Sequence, residues 1–305
     1  MFPFTKYSKI YYIFSGFLIV VSVASLIFFG LKFGIEFTGG SNMEIEFNPP
    51  AGGQRPSNEE ISNSLLEFDL GEIIVQPTGN NGAVLRFKGV DEAQHQQILS
   101  KLNESFLVQE NNFQYIGPSV GNELKNKTLI SISLALLVIT LYIAFAFRKV
   151  SKPVSSWKYG VTSLIALFHD IIIPLGVFSV LGKFYHIEIT VPIIAALLTI
   201  IGFSVHDTIV IFDRIRENIL RKGNNEFRQT IDLSLNQTVG RSISTVFTVL
   251  IVMFALFFFG GITLKYFSLA LIIGIAAGTY SSIFIASSLL ITWKEWDDRR
   301  LLKKG

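Results

Sequence analysis

Six apolar runs punctuate the chain, at about 10–30, 128–147, 160–182, 190–212, 242–260 and 267–292. Each comes close to or exceeds the roughly 20 residues an α-helix needs to cross a hydrocarbon core. Six such runs predict a polytopic α-helical membrane protein with six transmembrane helices and both termini on one side. The first run is longer than the apolar stretch of a secretory signal. It ends in Phe28-Phe29-Gly30-Leu31-Lys32, which offers no small-x-small cleavage site, so it is expected to stay as a helix.

Between the first and second runs lies the one long polar stretch, 31–127, and its pattern switches between two periods. Residues 41–47 alternate apolar and polar as a half-buried strand does. Residues 57–68 open with Ser57-Asn58-Glu59-Glu60, the signature of a capping box, and place Ile61, Leu65 and Phe68 on one helical face. Strands at 72–76 and 83–87 flank the turn-rich Pro77-Thr78-Gly79-Asn80-Asn81-Gly82, which predicts a hairpin. A second helix at 91–106 carries Ile98, Leu102 and Phe106 on one face, and 113–116 reads as a last strand. The order β-α-β-β-α-β predicts a small α+β domain of the ferredoxin-like kind. A second polar connection, 213–241, contains apolar Ile215, Ile219 and Leu220, a spacing that fits either an amphipathic helix on the membrane surface or a solvated linker.

Charge orients this scheme. Lys6 and Lys9, then Arg148, Lys149, Lys152 and Lys158, then Arg214, Arg216, Arg221, Lys222, Arg228 and Arg241, then Lys294, Arg299, Arg300, Lys303 and Lys304 all fall on one side of the six runs. The two short loops opposite hold only Lys183 and Lys265. The positive-inside rule therefore predicts cytoplasmic termini, with 31–127 outside. The expected organisation is an N-terminus and first helix (1–30), an extracytoplasmic domain (31–127), five more spans (128–292) with a cytoplasmic loop (213–241), and a cytoplasmic tail (293–305).

Composition narrows the chemistry. Half of the 305 residues are hydrophobic, 16% are charged and the mean hydropathy is +0.49, a balance suited to a bilayer. The net charge of +3 is dispersed at span boundaries, which argues against a nucleic-acid partner. With no cysteine, thiolate nucleophiles, disulfides and thiolate metal sites are excluded. No phosphate-cradling loop and no metal-ligand histidine spacing occur, so neither an enzyme nor a bound cofactor is expected.

Ionisable groups inside hydrocarbon are costly and need a partner, a wet cavity or a job. His169 and Asp170 fall near the middle of the third run, His206 and Asp207 lie within the fourth just before the boundary pair Asp213 and Arg214, and Arg241 opens the fifth. Asp170 and Asp207 are thus candidates for proton exchange or for an interhelical polar clamp. Arg241 is expected at a depth close to that of Asp207, where a permanent cation suits a buried carboxylate. For His169 and His206, static hydrogen bonding stands beside proton shuttling. Pro174 and Pro192 are expected to bend their helices.

Several of these segments together resemble the SecD/SecF family of the resistance-nodulation-division superfamily. They are Gly34-Ile35-Glu36-Phe37-Thr38-Gly39-Gly40, Gly117-Pro118-Ser119-Val120-Gly121-Asn122-Glu123-Leu124, His169-Asp170 and above all the run from Ile201 through His206-Asp207 to Asp213-Arg214-Ile215-Arg216-Glu217. Leu235-Asn236-Gln237-Thr238 and Arg241-Ser242-Ile243-Ser244-Thr245 complete the set. The resemblance implies a role in protein export, in which the proton-motive force promotes late steps of polypeptide translocation across the bacterial cytoplasmic membrane. It implies Asp207 as the intramembrane proton-pathway residue and Arg241 as its paired arginine, with H+ as coupling ion and Na+ as the alternative. It marks Phe37, Gly39, Gly40, Gly117, Pro118 and Gly121 as family motif positions. The implied partners are SecD, which would supply the other half of a twelve-span unit, the SecYEG translocon, YajC and YidC as further candidates, and the translocating polypeptide. His206 departs from the family's usual asparagine. A small-molecule exporter component and a structural subunit without ion coupling are the competing readings.

Overall fold

The computed structural model describes residues 1–48, 55–146, 154–222 and 227–302. The chain enters through a 3₁₀ turn, Phe4–Tyr7, into α1 (Ser8–Phe29). It then runs through α2 (Ile35–Thr38), β1 (Gly40–Phe47), α3 (Asn58–Ser64), β2 (Ile74–Thr78), β3 (Gly82–Phe87), α4 (Glu92–Phe106) and β4 (Val108–Ile116). Helices follow to the end: α5 (Pro118–Ala146), α6 (Ser156–Tyr185), α7 (Val191–Lys222), α8 (Phe227–Phe259), α9 (Ile262–Tyr280), a π-helical turn (Ser281–Ala286) and α10 (Ser287–Leu302). Among the described residues, six helical stretches are long and apolar enough to cross a membrane, α9 to α10 forming the sixth. The cationic Arg148, Lys149, Lys152, Lys303 and Lys304 of the orientation argument lie outside the described residues.

Two compact units emerge. One combines Met1–Gly30, Ser131–Val180 and Pro192–Gly305, and the other combines Leu31–Ile130 with the short segment Leu181–Val191. In the second unit the strands form one antiparallel sheet in the order β2-β3-β1-β4. Met43, Ile45 and Phe47 of β1 and Ala83, Leu85 and Phe87 of β3 share one face, because side chains alternate along a strand. Ile61 and Leu65 from the α3 end and Ile98 and Leu102 of α4 pack with them into an apolar core. The capping box forms at α3: Ser57 Oγ accepts from Glu60 N–H while Glu60 Oε2 accepts from Ser57 N–H at 2.8 Å. The Ser57 N–H and hydroxyl, both donating to Glu60 Oε2, hold that carboxylate below its usual range.

The predicted succession of strands and helices is found with one added turn, α2, and three differences of extent, the first being that β2 lies at Ile74–Thr78 rather than 72–76, so that Pro77 and Thr78 pair with β3 instead of turning. The first helix stops at Ser64 rather than 68. The last strand begins at Val108, five residues before the expected 113. Its first half is the polar Gln109-Glu110-Asn111-Asn112, which sits on a sheet edge and needs no apolar alternation, and a bulge falls there where Glu44 pairs with Asn112 but Ile45 with Glu110. The single turn α2 had no periodic signal at four residues.

In the helical unit the pattern inverts. The buried residues of α1 are Ser15, Ser22 and Ser25, whereas Ile13, Phe17, Val20, Ile27 and Phe28 are exposed. Small residues let helices approach closely, and here Ser25 Oγ donates to Gly176 O at 3.1 Å and Ser179 Oγ to Ser25 O at 2.8 Å. Half or more of the apolar windows of α6, α7 and the sixth span are buried, while α1, α5 and α8 turn most of theirs outward. Outward apolar side chains are what a bilayer solvates.

In the connection 213–241 the described residues are helical, and 223–226 lie outside the described residues. α7 continues to Lys222 and α8 already starts at Phe227, so both spans extend past their apolar runs. Ile215 and Ile219 are buried in the helical core and only Leu220 is exposed. Hydrogen bonds tie the two extensions together, from Asn218 Nδ2 to Ser234 Oγ at 2.8 Å and from Arg214 Nε to Gln237 Oε1 at 2.7 Å. The N-terminal segment clasps the α8 extension: Thr5 N–H and Oγ1 donate to the Asp232 carboxylate at 2.8 and 2.9 Å. Lys158, expected at a wet boundary, is buried, with Asp297 at 2.5 Å and all three tryptophans, Trp157, Trp293 and Trp296, within 6 Å of its ammonium. Pro192 occupies the first turn of α7, where its missing N–H costs nothing and it starts the helix instead of bending it. Pro174 lies inside α6.

Candidate functional site

One group of buried polar residues of the helical unit lies where α6, α7, α8 and the π-helical turn meet. Asp170 on α6 is fully enclosed and saturated with partners. Its Oδ2 accepts from Ser204 Oγ of α7 at 2.5 Å and from Ser281 Oγ at 2.8 Å, and its Oδ1 lies 2.9 Å from His169 Nδ1. One turn further along α7, Asp207 is also buried, but only its Oδ1 is engaged, by Ser242 Oγ of α8 at 2.5 Å. Asp207 Oδ2 is buried and makes no hydrogen bond among the described residues.

Local geometry explains why these groups converge. Ser204, Asp207 and Thr208 recur at three- and four-residue spacing and share one face of α7. The facing helix presents Ser281 and Ser282 in its π-helical turn, so that consecutive residues serve different neighbours: Ser281 reaches Asp170, and Ser282 Oγ lies 2.7 Å from Thr208 Oγ1. Such turns insert a residue into an α-helix and are frequent at functional sites. Gly278 completes the approach, since a Cβ there would sit 3.2 Å from Ser204 Cβ and 3.4 Å from Asp170 Oδ2.

The expected pairing of Asp207 with Arg241 is not what α8 presents. Arg241 is exposed and forms no ion pair among the described residues, and its neighbour Ser242 holds Asp207. Consecutive helical residues point about 100° apart, so a helix that aims Ser242 at Asp207 necessarily turns Arg241 away. His206 is likewise exposed, whereas His169 is buried with Nδ1 on Asp170 and its ring 6.0 Å from that of Tyr280. Asp213 and Arg214 sit on the α7 extension, in contact with Arg216 at 3.6 Å and Glu217 at 2.6 Å respectively. Ser242, Ser204 and Ser281 are the site residues that sequence reasoning did not single out as hydrogen-bond donors. Their signal was the clustering of hydroxyl residues in otherwise apolar runs.

The remaining motif residues meet in the sheet unit. Gly39 adopts φ +76°, and a Cβ on it would lie 2.9 Å from Pro118 Cα; one on Gly121 would lie 3.0 Å from the Phe37 carbonyl carbon. Phe37 and Gly39 thus approach Pro118 and Gly121 of α5 backbone to backbone, whereas the nearest groups to a Cβ on Gly40 are Phe87 O and the Ile35 side chain, and on Gly117 the Tyr115 and Ser119 side chains.

Comparison with known proteins gives a consistent result. The family described as "Protein export membrane protein SecD/SecF, C-terminal" matches residues 95–296, and the SecD/SecF GG motif matches residues 24–51. The protein translocase subunit SecF of Thermobaculum terrenum is 40% identical, over 100% of this chain and 98% of its own. SecF of Vibrio alginolyticus is 37% identical over 94% of this chain and 88% of its own. The solved structure of SecDF from Thermus thermophilus, a translocon-associated membrane protein, is similar with a TM-score of 0.84 at 30% identity, covering 96% of this chain. This chain spans 39% of that SecDF chain.

Proposed function

The chain belongs to the SecF branch of the SecD/SecF family of protein-export membrane proteins, and from that premise we propose that it couples an ion gradient to polypeptide export by titrating Asp207. The observation that carries this reading is the difference between the two buried carboxylates. Asp170 has a partner for each oxygen, so it serves as an anchor between α6, α7 and the π-helical turn. Asp207 has an oxygen to spare. Uptake of a proton on that oxygen removes the carboxylate's charge from the interface. Ser242 adapts to either state because a hydroxyl both donates and accepts. Protonation therefore biases the packing of α7 against α8, a population shift between two helix arrangements.

A SecD partner completes the bundle in this proposal. The exposed apolar flanks of α5 and α8 and the match to 39% of a SecDF chain support it. Arg241, on the outward side of α8, is assigned to that partner interface and pairs with Asp207 only in the alternative arrangement. We place the protein in the bacterial cytoplasmic membrane with both termini inside, on the strength of the lysine and arginine distribution. The β-α-β-β-α-β order with antiparallel sheet order β2-β3-β1-β4 supports a ferredoxin-like extracytoplasmic domain. Contact with SecYEG, YajC, YidC and the emerging polypeptide belongs to the same proposal, as does the absence of enzymatic activity and of a bound cofactor.

Asp207→Asn tests it. In membrane vesicles containing the full chain with its SecD partner, gradient-stimulated export should vanish while assembly persists. Stimulation that survives the substitution would leave only a structural subunit. Stimulation that follows sodium instead of protons would reassign the ion and keep the site.

A further inference from the structure

The loop joining α6 to α7, the two helices that carry Asp170 and Asp207, is not a free turn. Its residues belong to the compact unit built around the sheet. Phe33 and Ile189 form a parallel β-bridge, in which Ile189 N–H donates to Lys32 O at 2.7 Å and Gly34 N–H donates to Ile189 O at 2.9 Å. Ile187 and Ile189 are buried. The His186 backbone is left-handed at φ 55°, and its carbonyl accepts from Gln76 Nε2 of β2 at 2.5 Å. Arg86 of β3, an interior strand of the sheet, donates from Nη1 to Glu188 Oε2 at 2.6 Å, with the two side chains only 17% and 6% exposed.

A connection that merely reversed the chain would need turn residues and nothing more. This one carries a partly buried ion pair whose glutamate is enclosed, and breaking it on the arginine side leaves that carboxylate without its cation. Burial in fact outweighs Arg86 and raises Glu188 above the ordinary carboxylate range, with Glu36 adding to the rise and Lys32 opposing it. The remaining covalent links of the sheet unit run through α1 and α5, which hold neither buried aspartate. The α1 link also passes through Gly30 at φ 68°. Only the α6–α7 loop is continuous with both carboxylate-bearing helices and also fastened to the sheet.

We propose that Arg86 and Glu188 are the positioning pair through which a rearrangement of α6 and α7 is transmitted to the sheet unit. The inference rests on the ion-coupling reading above and adds its mechanical output. The β-bridge fixes the loop's direction, and the ion pair stops it from slipping along the sheet. Motion of the helix pair then reaches β3 as displacement rather than being absorbed by a flexible turn.

The test measures gradient-driven proton flux and polypeptide export together, in vesicles containing the full chain and its SecD partner. Arg86→Gln and Glu188→Gln should each lower export per proton by about tenfold, within the usual range of site-to-site coupling, and leave proton flux within about twofold. The exchanged pair, Arg86→Glu with Glu188→Arg, should recover most of the ratio. An unchanged ratio in the single variants, a parallel fall of flux and export, or an exchanged pair no better than either single variant would overturn the proposal. Asp207→Asn keeps the two readings apart. If it stops flux while Glu188→Gln keeps the ratio normal, the joint alone is wrong; if it leaves flux and export intact, the coupling reading fails first. Should a charge variant not assemble with SecD, Gln76→Ala, which removes only the hydrogen bond to the His186 carbonyl, should lower the same ratio, and an unchanged ratio there overturns the proposal equally.

Discussion

In the sheet unit the interior is Met43, Ile45, Phe47, Leu85, Ile98 and Leu102, while Glu44 and Glu46 of the same β1 strand point the other way. In the helical unit His169, Asp170, Ser204, Asp207 and Ser281 are inside, and Phe17, Phe247 and Phe258 face out. The first arrangement is driven by expulsion of apolar surface from water. The second cannot be, because lipid is as apolar as the side chains that face it, and helix association there relies on close packing and interhelical hydrogen bonds. One chain thus uses two cohesive principles, and a polar substitution tolerated on one surface is disruptive on the other.

The comparison can be broken at its strongest point by Phe47→Ala. Emptying a fully buried aromatic site in the sheet core should cost about 3–5 kcal/mol, read as lost hydrogen-exchange protection across β1, β3 and α4 in the full-length protein. Asp170→Ala should approach that cost, about 3 kcal/mol, because it orphans the Ser204 hydroxyl and the His169 Nδ1 together and leaves Ser281 only its bond to the Gly278 carbonyl. Asp207→Ala orphans only Ser242 and should cost about 1 kcal/mol, both aspartate variants being read by unfolding titration in detergent. Equal losses at the two aspartates would remove the distinction between anchor and titrating group.

Smaller effects sharpen the picture. Ser57→Ala removes the α3 cap and should cost about 1 kcal/mol, confined to the sheet unit. The Glu60 half of that box has its pKa depressed, so the folded state sheds its proton more readily than the unfolded chain. Its contribution is present above the ordinary carboxylate pKa and is lost as pH falls through the depressed value; Glu60→Gln should abolish that acid-side slope. Glu188 has the opposite sign. Its raised pKa means that stability declines as pH climbs from the ordinary carboxylate value through the raised one, and Glu188→Gln should flatten that decline. Phe247→Leu, on the outward face of α8, should change stability by no more than about 0.5 kcal/mol.

Both principles leave traces in sequence, but unequal ones. The six spans were legible because length and continuous hydropathy suffice, and α3, the hairpin and α4 were legible because strand and helix periods differ. The first half of β4 was hidden because an edge strand with polar side chains has no alternation to display. Within the bundle, Asp170 and Asp207 stood out as charges where charges are expensive. Their true partners did not, since serines at 204, 242 and 281 look like packing residues until helix rotation is known. Arg241 attracted attention by its charge, and a single step of helical rotation gave its expected place to Ser242. The loop at 186–189 looked like a short turn, because nothing local announces that Glu188 will meet an arginine 102 residues away.

The clasp between Thr5 and Asp232 sets a schedule for biosynthesis. Thr5 leaves the ribosome 227 residues ahead of the aspartate that will hold it. At ordinary elongation rates the wait is roughly ten to forty-five seconds. Throughout that interval the leading segment has no acceptor for the Thr5 amide and hydroxyl, and α1 must rest in the bilayer without its terminal fastening. The bundle closes at this point only after the α8 extension has emerged, so a chain interrupted before residue 232 carries an open N-terminal segment for quality-control proteases to find.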